Sequence, residues 1–399
     1  MPAPGLAAVM ACLLAACSSM DGAARRHAAA AAACGARQAH EEHAPAFRLL
    51  GEIRWDTGTH YGGVPVGGIS GIDWDAARGE YVLISDDRAA HGPARFYTAR
   101  IRYDGHGLHD AWLTGMHALL TPQNQPYRNA RLAQAGTPVP DAEALRVLPG
   151  GDALLWASEG DFPRGFGPEI NAASHDGKWL WRWPLPMALS QPRAHGGPRA
   201  GFTIEGMDFA DDGQTLWVSM EGALKQDGGM PSPGRAGAPV RITQFDVRTR
   251  EPIRQITYQP DALASDIWAL PQRAVNGVSE ILADGPGHLL VLERSFSVDS
   301  GWGARLYRID TRPHSPRAAT DTLHMERLET GGFQPAAKQL LLDFADLGLR
   351  SVDNLEGMAW GPRLDSGERV LLLVSDNNFN PAEVTQFIAL AESAPCAPE

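Results

Sequence analysis

The chain of 399 residues is 44% hydrophobic and 21% charged, the composition of a soluble globular protein rather than of a disordered one. Forty-seven acidic residues against 35 basic ones leave a net charge of −12. Three residues are lysine (Lys178, Lys225 and Lys338), and no basic cluster or aromatic–basic stripe occurs, which argues against nucleic acid as a partner.

The chain opens on an apolar run from Leu6 to Ala16. It is too short to span a membrane and suits the core of an export signal. Leu14-Ala15-Ala16-Cys17-Ser18-Ser19 resembles the lipobox of bacterial lipoproteins, in which the cysteine becomes the lipidated N-terminus. Residues 1–17 are therefore expected to be a signal peptide with lipidation at Cys17, although no Lys or Arg precedes the apolar run. Residues 18–45 are rich in alanine and read as a flexible tether. The remaining cysteines are Cys34 and Cys396, near opposite ends of the mature chain, and in an exported protein such a pair is expected to form a disulfide. The expected location is the periplasm or cell envelope, with the membrane reached only through the lipid anchor. Nothing in the sequence indicates an oligomeric state.

From residue 46 to 399 we read one domain, because a single pattern recurs five times along it. An apolar residue and an acid open a strand, a tight turn reverses it, and a second strand ends on another acid. The most complete copy is Ile204-Glu205-Gly206-Met207-Asp208-Phe209, a turn at Asp211-Asp212-Gly213, then Thr215-Leu216-Trp217-Val218-Ser219-Met220-Glu221. The first copy runs from Ser70 to Asp86, the second from Glu143 to Glu159, the fourth from Glu280 to Glu293 and the fifth from Glu356 to Asp376. The openers recur every 62 to 76 residues, longer than common propeller repeats, an excess that long loops can absorb. Further strands follow each hairpin, such as Val240–Val247 and Ile253–Tyr258 after Glu221. Short β-rich runs broken by Gly, Pro and Asp turns predict an all-β fold. Four strands per unit predict a β-propeller with five clear blades and room for a sixth. Phe47–Trp55 is expected to supply the missing strand of the last blade and close the ring.

If the paired strands are antiparallel, opening and closing acids finish at the same end of each hairpin. That end carries the long loops (119–141, 186–201 and 222–239), and binding sites usually lie on such loops over a rigid scaffold. Two rings of carboxylates are predicted there: Glu143, Glu205, Glu280 and Glu356 inside, and Asp86, Glu159, Glu221, Glu293 and Asp376 outside. Crowded carboxylates need a counter-charge. A divalent cation supplies it, and hard Ca²⁺ suits oxygen ligands, whereas the absence of clustered His or Cys argues against Zn²⁺. Arg88, Arg164, Lys225 and Arg294 follow the outer acids and are candidates to grip phosphate. No dinucleotide fingerprint, phosphate-binding glycine loop or Gly-x-Ser-x-Gly elbow occurs.

Gly67-Gly68-Ile69-Ser70-Gly71-Ile72-Asp73-Trp74, Ser85-Asp86-Asp87-Arg88, Ile204-Glu205-Gly206-Met207, Ser279-Glu280-Ile281, and Asn354-Leu355-Glu356-Gly357-Met358 with Ser375-Asp376-Asn377-Asn378-Phe379 together resemble the phytase-like family, "esterase-like activity of phytase". The likeness spans roughly residues 60–390. It implies a propeller of exported bacterial proteins with kinship to calcium-dependent propeller phytases. The function expected is hydrolysis of a small phosphorylated or ester substrate at a Ca²⁺-loaded mouth, with Glu205, Glu356 and Asp376 catalytic. Two alternatives stay open: a propeller that binds a ligand or protein without turnover, and a lactonase-like sugar hydrolase using Asn354, Asn377 and Asn378.

Overall fold

Each copy of the repeat becomes an antiparallel hairpin because its apolar residues leave no face for water. Leu371, Leu372, Leu373 and Val374 are all fully buried, as are Val82, Leu83 and Ile84, and near-continuous apolar strands of this kind suit burial on both faces. In the computed structural model, residues 46–393 are described apart from 192, 194, 211, 264–273 and 329–331. Cys17, Cys34, Cys396, the signal and the tether lie outside the described residues. No helix among the described residues is long and apolar enough to cross a membrane.

Phe47–Glu392 forms five four-stranded antiparallel sheets arranged as a β-propeller. Blade I comprises Ile69–Asp75, Glu80–Ser85, Arg95–Asp104 and Gly107–Ala118. Blade II comprises Ala142–Val147, Leu154–Ser158, Glu169–Ala173 and Trp179–Trp183. Blade III comprises Ile204–Phe209, Thr215–Met220, Val240–Asp246 and Pro252–Tyr258. Blade IV comprises Ala274–Ala283, His288–Ser297, Gly301–Asp310 and Lys338–Asp343. Blade V takes Asn354–Gly361, Val370–Asp376 and Val384–Glu392 from the end of the unit and Phe47–Asp56 from its start. The first strand of each blade packs beside the first strand of the next, and Asn354–Gly361 returns to Ile69–Asp75.

Closure follows the expected route: Phe47–Asp56 pairs with Val384–Glu392 from Phe47↔Glu392 to Asp56↔Val384. This pairing removes the open edge that a propeller left unclosed would expose. There is no sixth blade among the described residues. Part of the long repeat spacing comes from residues 311–337, inserted between the third and fourth strands of blade IV. At two described points this insert bonds to the outer strand of blade III, with Thr322 N donating to Gln255 O at 2.7 Å and Ala336 N to Thr257 O at 2.8 Å.

Every inner hairpin holds one extra residue, and the bulge sets its register. The unpaired residues are Ser70, Glu143, Glu205, Ser279 and Glu356. A bulge re-aims a side chain out of the ladder. In blade IV the bulged residue is Ser279, so Glu280 lies in register opposite Leu292. Its carboxylate meets Arg146 Nη2 at 2.8 Å.

Arg146 is 1% exposed and joins the inner strands of four blades. Its guanidinium donates to Ile72 O, Leu145 O and Ile281 O and pairs with Asp208 Oδ1 at 3.1 Å as well as with Glu280. Asp73 and Asp208 then accept from Val147 N and Ala283 N, both at 2.7 Å. Burial pushes the Asp73 carboxyl up to about 6 and Glu280 up to about 8, against the pull of Arg146. Removing one partner of such a network leaves buried charge uncompensated, at a cost of about 3–5 kcal/mol. Arg146→Met should therefore lower unfolding stability by about that amount at pH 8, and by less at pH 5, where Asp73 and Glu280 hold protons. Urea unfolding at the two pH values measures it; an unchanged midpoint at pH 8 would show that the ring does not need this bridge.

Candidate active site at the acidic mouth

The bulge also decides which side chains reach the mouth. The residue two before each bulge pairs with the residue that closes the second strand. Asp86 N donates to Gly68 O at 2.8 Å and Glu159 N to Asp141 O at 2.9 Å, Glu221 N donates to Thr203 O, and Gly277 faces Arg294 and Asn354 faces Asp376. In structural register the openers are thus Ser70, Glu143, Glu205, Ser279 and Glu356. The closers are Asp86, Glu159, Glu221, Arg294 and Asp376. Blade IV contributes no carboxylate to either ring.

Glu280 and Glu293, expected in those rings, go elsewhere. Glu280 lies with Arg146 in the middle of the ring. Glu293 is one residue out of phase with the closers. Its carboxylate is saturated by the Tyr258 hydroxyl, Lys338 Nζ at 2.7 Å, and Asp261 N and Asn276 Nδ2 at 3.0 Å each.

The other predicted acids converge. Asp86, Asp141 and Glu143 bring carboxylate oxygens within 4.8 Å of one another between blades I and II, and Glu159, Glu205 and Glu221 do the same between blades II and III. On the far side Arg294 pairs with Glu221 Oε1 at 2.6 Å and with Glu356, and Asn354 Nδ2 donates to Glu356 Oε1 at 2.8 Å. The Ser70 hydroxyl also supports the Glu356 carboxylate. Gly68, at φ +65°, makes room for this arrangement, since a Cβ there would sit 1.9 Å from Asp86 Oδ1. Asn378 and Phe379 follow Asp376 with φ of 48° and 51°, strained values for residues with side chains, and Asn378 N donates to Asp376 Oδ1 at 2.8 Å.

Burial first, and mutual repulsion with it, raises every carboxyl of the cluster. Asp86 and Glu221 move up to about 7, while Arg88 and Arg95 pull Asp86 down and Arg294 pulls Glu221 down. Asp141, Glu143, Glu205 and Asp376 stand well above the usual carboxylate range, and Glu159 and Glu356 are raised too. Glu205 is 6% exposed, and its Oε2 has no hydrogen-bond donor among the described residues. A buried carboxylate oxygen without a donor is costly in a finished network and marks a position for a ligand.

The basic residues divide. Arg88 lies 3.5 Å from Asp141 and 3.2 Å from Asp161, with its side chain 36% exposed. Arg164 pairs with Asp161 at 2.6 Å and donates to Ala130 O and Ala133 O, fastening a loop. Lys225 donates to Arg193 O at 3.1 Å, apart from the cluster. Sequence reasoning passed over Asp141 and Asp161. Asp141 stands two residues before Glu143, where blade V has Asn354, and aligning the copies on that position would have found it.

Residues 64–379 match the family model for phytase-like proteins, esterase-like activity of phytase. No curated protein matches the chain. Similar solved structures include hydrazine synthase of Kuenenia stuttgartiensis, at 13% identity, 81% of this chain and 80% of that chain, with TM-score 0.35. An endo-1,4-β-xylanase from Bacteroides thetaiotaomicron VPI-5482 is 10% identical over 81% of this chain and 90% of that chain, TM-score 0.41. A β-1,3-galactosidase of glycoside hydrolase family 43 with galactodeoxynojirimycin is 10% identical over 86% and 94%, TM-score 0.44. These likenesses are too distant to carry a functional argument. The family match takes in the inner hairpins of all five blades and every carboxylate of the mouth, and the chain belongs to the phytase-like family.

Proposed function

We propose that this protein is a metal-dependent phosphoric ester hydrolase, exported and anchored through Cys17, with Ca²⁺ held in the two carboxylate gaps. The observation that carries this reading is Glu205 Oε2, buried within a cluster of raised carboxyls and without a hydrogen-bond donor among the described residues. The donor set fits a hard divalent cation: the groups close enough to ligate one in the two gaps are carboxylates, with no His or Cys among them. A bound cation supplies charge compensation, polarises a phosphoryl oxygen and acidifies a water.

The chain's own residues do the rest. Arg88 is the cation that is both at the cluster and open to solvent, so it receives the phosphate. Glu356, held by Arg294, Asn354 and Ser70, orients Arg294. Glu205 would hold the cation through Oε2 and accept the proton of the attacking water on its other oxygen, Oε1. Asp376, raised well above the ordinary range by burial and by Asp86 and Glu356, with Asn378 N on its Oδ1, delivers a proton to the leaving oxygen. The turning away of Arg164 and Lys225 favours a second reading, in which the ions are structural and the mouth binds a ligand without turnover.

Hydrolysis of p-nitrophenyl phosphate by the purified protein should require added Ca²⁺ and stop in chelator. Glu205→Gln should lower kcat by about 100-fold or more, and Arg88→Met should act chiefly on KM. Full activity in chelator would overturn the metal assignment, and no activity with Ca²⁺ bound would favour the binding reading.

The raised carboxyls also set a pH dependence. Burial lifts Asp86 and Glu221 from the ordinary carboxyl values of 3.8 and 4.5 up to about 7 in the folded protein. Over that interval the folded state holds more protons than the unfolded one, so stability is full below about pH 4 and is lost as pH rises through 7. Melting temperature in chelator should therefore fall between pH 5 and pH 8. Added Ca²⁺ should restore more at pH 8 than at pH 5. A melting temperature in chelator that rises over this range would contradict the assigned electrostatics.

A further inference from the structure

We propose that Arg294 is a built-in cation that takes the place of a metal ion on the blade IV side of the mouth, so that the ring accepts two divalent ions instead of three. The inference rests on the metal reading above and says how many ions the mouth holds and where.

The register carries the argument. In four blades the closing position is an acid, and in blade IV it is Arg294, opposite Gly277. The opening position of the same blade is Ser279, whose hydroxyl turns to Leu355 O at 3.0 Å. Blade IV therefore brings a positive charge where the other blades bring negative ones. The acids beside it are Glu221 of blade III and Glu356 of blade V, one on each side. The Arg294 fork reaches both, with Nη2 on Glu221 and Nη1 on Glu356, and Nη1 also donates to Asn354 Oδ1 at 2.8 Å. Two carboxylates and an amide oxygen converging on one cation are the oxygen set that Ca²⁺ takes. Here a guanidinium fills that place.

The other two gaps are built differently. Among the described residues, the grouping of Asp86, Asp141 and Glu143 has an arginine ion pair at Asp141, and that of Glu159, Glu205 and Glu221 has one at Glu221, so each gap keeps two acids with no ion-pair partner. Arg294 is 8% exposed and its guanidinium lies 5.4 Å from the Trp302 ring centroid, which holds it in place. A covalently attached cation cannot be drawn off by chelator. Glu221 and Glu356 therefore stay positioned in the metal-free protein, while the two open gaps load and unload.

Calorimetric titration of the whole protein with Ca²⁺ alone tests this. The wild type should bind two ions, and Arg294→Lys, which keeps the charge, should also bind two. Arg294→Met should bind three, with a melting temperature in chelator below that of the wild type and a larger rise on adding Ca²⁺. Two ions in Arg294→Met would overturn the role given to Arg294 while leaving the metal reading intact. No binding by the wild type would overturn the metal reading and this inference with it. Should Arg294→Met fail to fold even in Ca²⁺, a wild-type or Arg294→Lys count of one or three rejects the proposal, and a count of two in both supports it.

Discussion

A single extra residue in each inner hairpin governs this molecule. Without the bulge, Glu143, Glu205 and Glu356 would continue the alternation of their strands and point between sheets. With it they turn toward one end of the ring, where the closing acids already stand. Ring closure by Phe47–Asp56 fixes blade V, and blade V brings Glu356 and Asp376 beside Asp86 of blade I. Convergence of acids is thus a consequence of backbone register and of ring geometry together.

The same physical problem, negative charge buried near the axis, has two solutions in one ring. In the middle, Arg146 satisfies Glu280 and Asp208 and three backbone carbonyls besides. There Glu280 and Asp208 each have the Arg146 guanidinium within ion-pair distance, and the network holds four blades together. At the mouth, Arg88 and Arg294 face eight carboxylates, and Glu205 Oε2 is left without a donor. An incomplete network costs stability unless something else completes it. The contrast between the two sets of acids, one closed and one open, is what separates scaffold from site.

Much of this was legible in the sequence. Apolar runs closed by an acid marked the inner hairpins, their five copies gave five blades, and an unpartnered strand at Phe47–Trp55 gave the closure. The loop lengths pointed to the end of the ring where Glu143, Glu205, Glu221 and Asp86 converge. Blade IV was misaligned for a definable reason. Glu280 and Glu293 were matched to the other copies by charge, whereas the backbone matches Val278-Ser279-Glu280-Ile281 to Leu355-Glu356-Gly357-Met358 by its bulge. Charge is a property of the side chain, and register is set by backbone pairing, so the first is a poor guide to the second. Apart from Asp161, the partners of Arg164 and Lys225 were hidden because they are loop carbonyls, Ala130, Ala133 and Arg193, which no pattern of residue types reveals.

The central claim is that the open carboxylates are a metal site. The most direct measurement is a crystal structure of the protein soaked in Mn²⁺, an anomalous scatterer that takes oxygen ligands. The account predicts anomalous peaks between Asp86, Asp141 and Glu143 and between Glu159, Glu205 and Glu221, the second within about 2.0–2.6 Å of Glu205 Oε2. A mouth without a peak, with Glu205 instead hydrogen-bonded to ordered water, would contradict it.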